Sequence, residues 1–285
     1  MKFYIVDVFA EQKYQGNQLA VLLPDREIST REMQQIAREI NFSETTFIMS
    51  GKLGNGGYDV RYFTPDVEIP FAGHPTLGTA YVIRQFLEQG EGGNVVLNLP
   101  VGPIPVTFDS DVLTMEQNGP EFSHIVEDRG SIADILKISA GDIREDYPVQ
   151  VVSTGLPSLI VPLKSLDAVC SCTVNHELYQ DFIDNVFKCN LLVFAPEGEG
   201  LVRVRVFVDD PGFVEDPATG SANGNLAGYL LKYNFFGSSN IRYDVNQGEQ
   251  IGRPSLLRIA AELTGETYSI KVGGKVFLIA EGTWL

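Results

Sequence analysis

The chain of 285 residues is 44% hydrophobic and 20% charged, an ordinary globular composition long enough to build two cores. Its 37 acidic residues outnumber 21 basic ones for a formal net charge of −16, a balance that repels phosphate backbones and excludes nucleic acid as a natural partner. The apolar run before Asp7 is too short for a signal segment and no stretch reaches the ~18 apolar residues of a membrane span, so a soluble cytoplasmic protein with no membrane partner is expected.

Taken in chain order, Phe3 to Phe9 and Leu19 to Leu23 read as paired strands, with Gln15-Gly16-Asn17 as punctuation between them. Ser29 and Glu32 have capping-box spacing ahead of Met33, Ile36, Ala37 and Ile40, which predicts a short amphipathic helix ending near Asn41. Strands follow at 42–49 and 58–63, divided by the glycine-rich turn 51–57. The motif Phe71-Ala-Gly-His-Pro75 then opens a helix running to about Glu88, and strands at 95–99, 104–108 and 112–115 close the first half. The polar stretch 121–145, with a helical piece at 132–136, reads as a connecting segment between a half at 1–120 and a half at 146–285; the final strand can pair back with the first half. The second half repeats the order of events: strands at 149–152 and 157–163, a helix near 175–187, strands at 190–195 and 201–208, a long helix from Pro217, and closing strands.

The repeat is visible in residues as well. His74-Pro-Thr-Leu-Gly-Thr-Ala80 aligns with Asp216-Pro-Ala-Thr-Gly-Ser-Ala222, and Arg61-Tyr-Phe63 and Arg205-Val-Phe207 precede the two copies. Each copy has the form of a helix start, with Asp216 and His74 in the capping position and proline in the first turn. A helix N-terminus flanked by Gly73, Gly78, Gly220 and Ser221 leaves backbone N–H groups open to an anion, such as the carboxylate of a small molecule. Gly220, Gly224 and Gly228 recur every fourth residue and imply a tightly enclosed helix, with Gly224 and Gly228 serving packing.

Three residues are candidates for chemistry, and each has a plain structural reading beside the functional one. Glu44 is set among strand formers: either a carboxyl in apolar surroundings able to carry a proton, or a solvated strand residue. His74 is either an acid/base group or a cap; Asp216 is either its counterpart or an N-cap, with Glu215 favourable at the helix dipole. If a pseudo-twofold axis relates the halves, the two helix starts converge on one cleft and the acid/base reading gains. Cys170, Cys172 and Cys189 have no C-x-x-C spacing, and His74, His124 and His176 share no ligand spacing, so no disulfide framework and no metal site are expected.

Together Asn41-Phe-Ser-Glu-Thr-Thr-Phe47, Phe71-Ala-Gly-His-Pro-Thr76, Glu215-Asp-Pro-Ala-Thr-Gly-Ser-Ala222 and Gly16-Asn-Gln-Leu-Ala-Val21 resemble the PhzF-like phenazine-biosynthesis isomerase family. The resemblance implies an α+β fold like that of diaminopimelate epimerase: two pseudo-symmetric halves, each a curved sheet or barrel around a central helix, with the active site in the cleft between them. It implies no cofactor, Glu44 as the proton shuttle, His74 and Asp216 sharing acid/base duty, and Gly73, Gly220 and Ser221 binding a substrate carboxylate. It is also compatible with a homodimer. The thiol pair of the related racemases has no counterpart in these loops, which favours isomerisation over inversion of configuration. The expected activity is therefore that of a cofactor-independent isomerase moving a proton within a small cyclic or unsaturated carboxylic acid. A lyase or hydratase using the same groups, and a catalytically silent ligand-binding protein, are the alternatives.

Overall fold

The computed structural model describes residues 1–209 and 214–285. They divide into two compact units, Met1–Glu116 with Gly273–Leu285, and Gln117–Val272.

The first unit begins with β1 (Lys2–Val8), β2 (Asn17–Leu23) and α1 (Thr30–Ile40). Ser29 caps α1 by accepting the Glu32 N–H, Met33, Ile36 and Ala37 fill its buried face, and Asn41 ends it in the left-handed conformation at φ 56°. Then come β3 (Glu44–Ile48), β4 (Gly57–Phe63), the two-residue β5 (Glu68–Ile69), α2 (Gly73–Val82), β6 (Asn94–Leu99), β7 (Gly102–Asp109) and β8 (Val112–Gln117). The helix predicted to reach Glu88 is α-helical only to Val82 and continues as a π-helical turn, Ile83–Leu87. Two pairs, β2–β3 and β4–β6, are parallel; β1–β2, β3–β4, β6–β7 and β7–β8 are antiparallel. α2 is buried on nearly every side by this sheet, and a Cβ on Gly78 would sit 2.6 Å from a Leu19 methyl. Only glycine admits that approach, so strand side chains touch the helix backbone directly.

The second unit contains β9 (Glu121–Val126), α3 (Arg129–Leu136), β10 (Val149–Ser153), β11 (Pro157–Pro162), α4 (Leu166–Ser171), α5 (His176–Asn185), β12 (Asn190–Gly198), β13 (Leu201–Phe207), the short β14 (Glu215–Asp216), α6 (Gly220–Lys232), β15 (Asn240–Gln247) and β16 (Ser255–Thr264). The stretch 121–145, read from sequence as a connection, thus carries β9 and α3, and β9 pairs with β10. The last strand, β17 (Thr267–Thr283), begins in this unit; its residues 276–283 pair with β1, and its further pairing with β8 closes the first unit's sheet into a ring.

The ladders of the two units repeat. β10–β11 and β12–β13 are antiparallel, β11–β12 and β13–β15 are parallel, and β15–β16 is antiparallel, the same succession as from β1 to β7. In each unit a helix lies at the centre: α6 is buried from Gly220 to Leu231, as α2 is at every residue but Tyr81. A Cβ on Gly224 would reach the Gln117 side chain at 3.0 Å and one on Gly228 would reach Pro120 at 2.7 Å, which accounts for both as packing residues.

The strand register corrects the sequence alignment of the repeat. In the first unit Phe63 pairs with Glu68 and Tyr62 with Ile69; in the second Phe207 pairs with Glu215 and Val206 with Asp216. From these matched hairpins the helices start at Gly73 and Gly220, so Gly73-His74 is equivalent to Gly220-Ser221, and Asp216-Pro217 to Ile69-Pro70. The expected equivalence of His74 with Asp216 fails because a proline and a small residue recur in both loops and permit a slipped match. The capping assignments change with it. Ala72 and Thr219 occupy the N-cap positions, neither with a side-chain capping bond, whereas His74 lies inside the first turn and Asp216 on β14.

Candidate active site

Within the first unit, β2 and β3 run parallel with Leu19 beside Glu44, so the preceding backbone of Gln18 and the Glu44 side chain lie close together. His74, in the first turn of α2, meets both. Its ring has a backbone hydrogen bond with Gln18, and its Nε2 lies 3.4 Å from Glu44 Oε2. The histidine is 4% exposed, and burial holds its pKa down to about 3 against the smaller opposing effect of the Gln18 bond. It is therefore a neutral imidazole at physiological pH. Because Nε2 makes no hydrogen bond of its own, the Gln18 bond falls to Nδ1, which fixes the tautomer with the Nε2 lone pair toward Glu44.

The surroundings hold this geometry. The Ser43 hydroxyl donates to Asn17 Oδ1 at 3.2 Å, tying the residue before Glu44 to the one before Gln18. The hydroxyls of Tyr62 and Thr76 lie 3.1 Å apart, and Thr76 also donates to the Ala72 carbonyl at 2.8 Å, fixing the first turn of α2 to β4. No acidic residue occupies that turn itself, and the carboxyl set against it is that of Glu44.

Within the second unit, the start of α6 is organised by polar side chains. Gln247 accepts from the Thr219 N–H at 3.2 Å and from Asn223 at 2.9 Å, and donates to the Asp216 carbonyl at 2.8 Å and to Thr219 Oγ1 at 3.0 Å. Thr219 Oγ1 donates in turn to Asp216 Oδ2 at 2.5 Å. Asp216 is thus held by the capping threonine rather than acting as the cap. Gly220 and Ser221 begin the helix, with Ser221 buried like its counterpart His74. Glu215, expected at the helix dipole, instead forms a buried two-bond pair with Arg205, at 3.1 and 2.7 Å; the same guanidinium also donates to the Val169, Cys170 and Cys172 carbonyls. The equivalent pair in the first unit is Arg61–Glu68, at 2.7 and 2.6 Å.

Sequence reasoning missed Gln18, Ser43, Thr219, Asn223 and Gln247, whose roles depend on contacts between distant segments. The Arg–Glu braces were accessible, since both arginines had already been matched and each is followed by an acid at the next short strand. The thiols are elsewhere: Cys170 is exposed, and burial pushes Cys172 and Cys189 up to about 12, leaving both protonated and unreactive.

With this geometry in hand, residues 6–282 match the family described as phenazine biosynthesis-like protein, PhzC-PhzF. The chain belongs to that family. It is 33% identical to the trans-2,3-dihydro-3-hydroxyanthranilate isomerase of Pseudomonas aeruginosa, a match covering 99% of this chain and 98% of that enzyme. The PhzF-family protein of Bacillus anthracis superposes with a TM-score of 0.89 at 24% identity, covering 100% of this chain and 99% of that one. A probable proline racemase from Agrobacterium radiobacter shares the fold at a TM-score of 0.68 and 9% identity, covering 100% and 92% of the two chains. The fold is accordingly the two-unit α+β architecture of the epimerases and racemases, as the resemblance implied, and the isomerase class expected from sequence is that of the named relative. No helix among the described residues is long and apolar enough to cross a membrane.

Proposed function

We propose that the protein is a cofactor-independent isomerase that moves a proton within a small cyclic or unsaturated carboxylic acid. The observation that carries this is the pairing of the buried His74 ring with the partly buried Glu44 carboxyl at the start of α2. A neutral histidine with a directed lone pair accepts a hydrogen bond from a protonated carboxyl or from substrate without competing for the net charge of the site. Glu44 is then the group that changes protonation. As carboxylate it takes a proton from one carbon, the double bond shifts, and as carboxylic acid it returns the proton to another carbon on the same face. No atom is lost or gained. Gly73, Gly220 and Ser221 are proposed to hold the substrate carboxylate through first-turn N–H groups and the serine hydroxyl. Asp216, oriented by Thr219, is proposed as a further acid/base partner. The name of the Pseudomonas aeruginosa relative supports this class of substrate, a cyclic unsaturated amino acid with a ring-bound carboxylate.

The test is turnover in deuterated water with mass-spectrometric detection, using trans-2,3-dihydro-3-hydroxyanthranilate first and then a pool of cellular carboxylic acids. A product of unchanged formula carrying solvent deuterium is expected. Glu44→Gln should lower the rate by about 10²- to 10⁴-fold, the usual contribution of general acid/base catalysis. Undiminished deuterium incorporation in that variant rules out the role given to Glu44, and a change of formula on turnover assigns the protein to the lyases or hydratases.

A further inference from the structure

Ala72 and Thr219, the N-cap residues of α2 and α6, make no side-chain capping bond. A capping side chain ordinarily covers a first-turn N–H. In both helices the side-chain bonds go instead to the N-cap carbonyl. Thr76 and Asn223 each stand fourth in their helix. Thr76 Oγ1 donates to the Ala72 carbonyl at 2.8 Å and Asn223 Nδ2 to the Thr219 carbonyl at 2.9 Å. The backbone N–H groups of the same two residues reach the same carbonyls at 3.3 and 3.1 Å.

Each of these side chains is itself held from a strand. The single hydroxyl hydrogen of Thr76 is engaged by Ala72, so the Tyr62 hydroxyl on β4 donates to Thr76 across 3.1 Å. In the second unit Gln247 on β15 accepts from Asn223 Nδ2 at 2.9 Å. Tyr62, Thr76, Asn223 and Gln247 are all fully buried. By strand register the counterpart of Tyr62 is Val206, which has no polar group, so the support arrives from a different strand and a different residue type. Helix stability does not account for the recurrence, because a threonine bonded to the carbonyl four residues back slightly destabilises a helix. What the two arrangements share is their target, a doubly bonded N-cap carbonyl.

That carbonyl is one end of a planar peptide unit whose other end is the first N–H of the helix, from Gly73 in α2 and Gly220 in α6. Fixing the oxygen fixes the direction of the N–H, and bonds accepted by the oxygen polarise the unit and make the N–H a stronger donor. Neither N–H has an intrahelical acceptor. Next to Gly73 in the chain stands His74, buried, with an Nε2 that makes no hydrogen bond, so this helix start already holds one polar atom that the fold leaves unused.

We propose that Thr76 and Asn223 are positioning residues that aim and strengthen the Gly73 and Gly220 N–H groups for the substrate carboxylate, with Tyr62 and Gln247 holding them in place. This rests on the carboxylate-binding role given to the two glycines above. Each arrangement should contribute about 2- to 5-fold to carboxylate affinity, a fraction of one charge-assisted hydrogen bond.

The probes are benzoate and benzamide, alike in shape and different in charge, titrated into the whole protein while the Gly73 and Gly220 amide resonances are followed. Benzoate should move both resonances and bind wild type more tightly than benzamide. Thr76→Val and Asn223→Ala should each weaken benzoate by about 2- to 5-fold and benzamide by less, so that the preference for charge shrinks. Thr76→Ser should restore it. Tyr62→Phe combined with Thr76→Val removes both hydroxyls and leaves no orphaned partner; this pair should unfold near the wild-type temperature and still bind benzoate as weakly as Thr76→Val alone. Equal weakening of both ligands, the result of a merely structural role, overturns the inference. Unchanged benzoate affinity in Thr76→Val or in Asn223→Ala overturns it for that unit. If benzoate moves neither glycine resonance in wild type, the carboxylate reading fails and the positioning role with it; if both move and the variants keep their affinity, only the positioning role fails.

Discussion

The starts of α2 and α6 occupy equivalent places in two units of the same topology, yet they are stabilised by opposite means. Around His74 the chain uses burial, backbone hydrogen bonds and tight packing, with few side-chain bonds into the turn. Around Ser221 it uses a network in which Gln247 alone joins Thr219, Asn223 and Asp216. The supporting hairpins differ in the same direction. Arg61 and Glu68 have side chains 29% and 34% exposed, whereas Arg205 and Glu215 are 7% and 5% exposed. The scaffold is the same in both units, and the polar groups differ so that one start holds a buried titratable ring while the other holds oriented carboxylate and hydroxyl groups.

Removing the buried brace is the most severe way to break the comparison. Arg205→Ala leaves Glu215 buried without its cation and three carbonyls without a donor, and should cost about 3–5 kcal/mol in denaturant unfolding. A loss under 1 kcal/mol would show that the buried pair is no more important than the exposed one. Next, Gln247→Ala should cost about 2 kcal/mol through unsatisfied partners and should disturb Asp216 and Ser221 before it affects His74. Chemical shifts assigned to the two helix starts read that selectivity directly; simultaneous disturbance of both contradicts it.

The third measurement is pH dependence. His74 titrates near 6.5 when unfolded and near 3 when folded, so the unfolded chain binds the extra proton in between. Its contribution to stability is intact above about 6.5 and is lost as pH falls toward 3. His74→Gln should flatten the acid limb of the stability curve by up to about 1.4 kcal/mol per pH unit, and an unchanged slope would show that the ring is not held neutral. The smallest effect belongs to Arg61→Ala, below about 1 kcal/mol for a solvent-screened pair.

Much of this was legible in the sequence. Hydrophobic patterning gave most strands, and the Ser29 cap with Met33, Ile36 and Ala37 gave α1 almost residue for residue. The Phe-Ala-Gly-His-Pro and Ser-Glu-Thr motifs named the two residues that meet at 3.4 Å. The true register of the repeat was hidden because proline and glycine mark loops without specifying where hydrogen bonding resumes; the pairing of Phe207 with Glu215, a long-range fact, decides it. For the same reason Gln18 escaped notice. It contributes a backbone carbonyl, which any residue possesses, so no side-chain pattern announces it.

The path of β17 has a consequence for how the chain acquires its structure. β1 is made long before its partner, residues 276–283, and the Met1 nitrogen bonds the Trp284 carbonyl across a separation of 283 residues. During synthesis the contiguous unit 117–272 can complete its ladders while β1 still lacks one neighbour. The unit that carries Glu44 and His74 is thus the later one to close. Its rate is set by a long loop closure, and the open flanks of β1 and β8 are the surfaces most exposed to misassembly until the last strand docks.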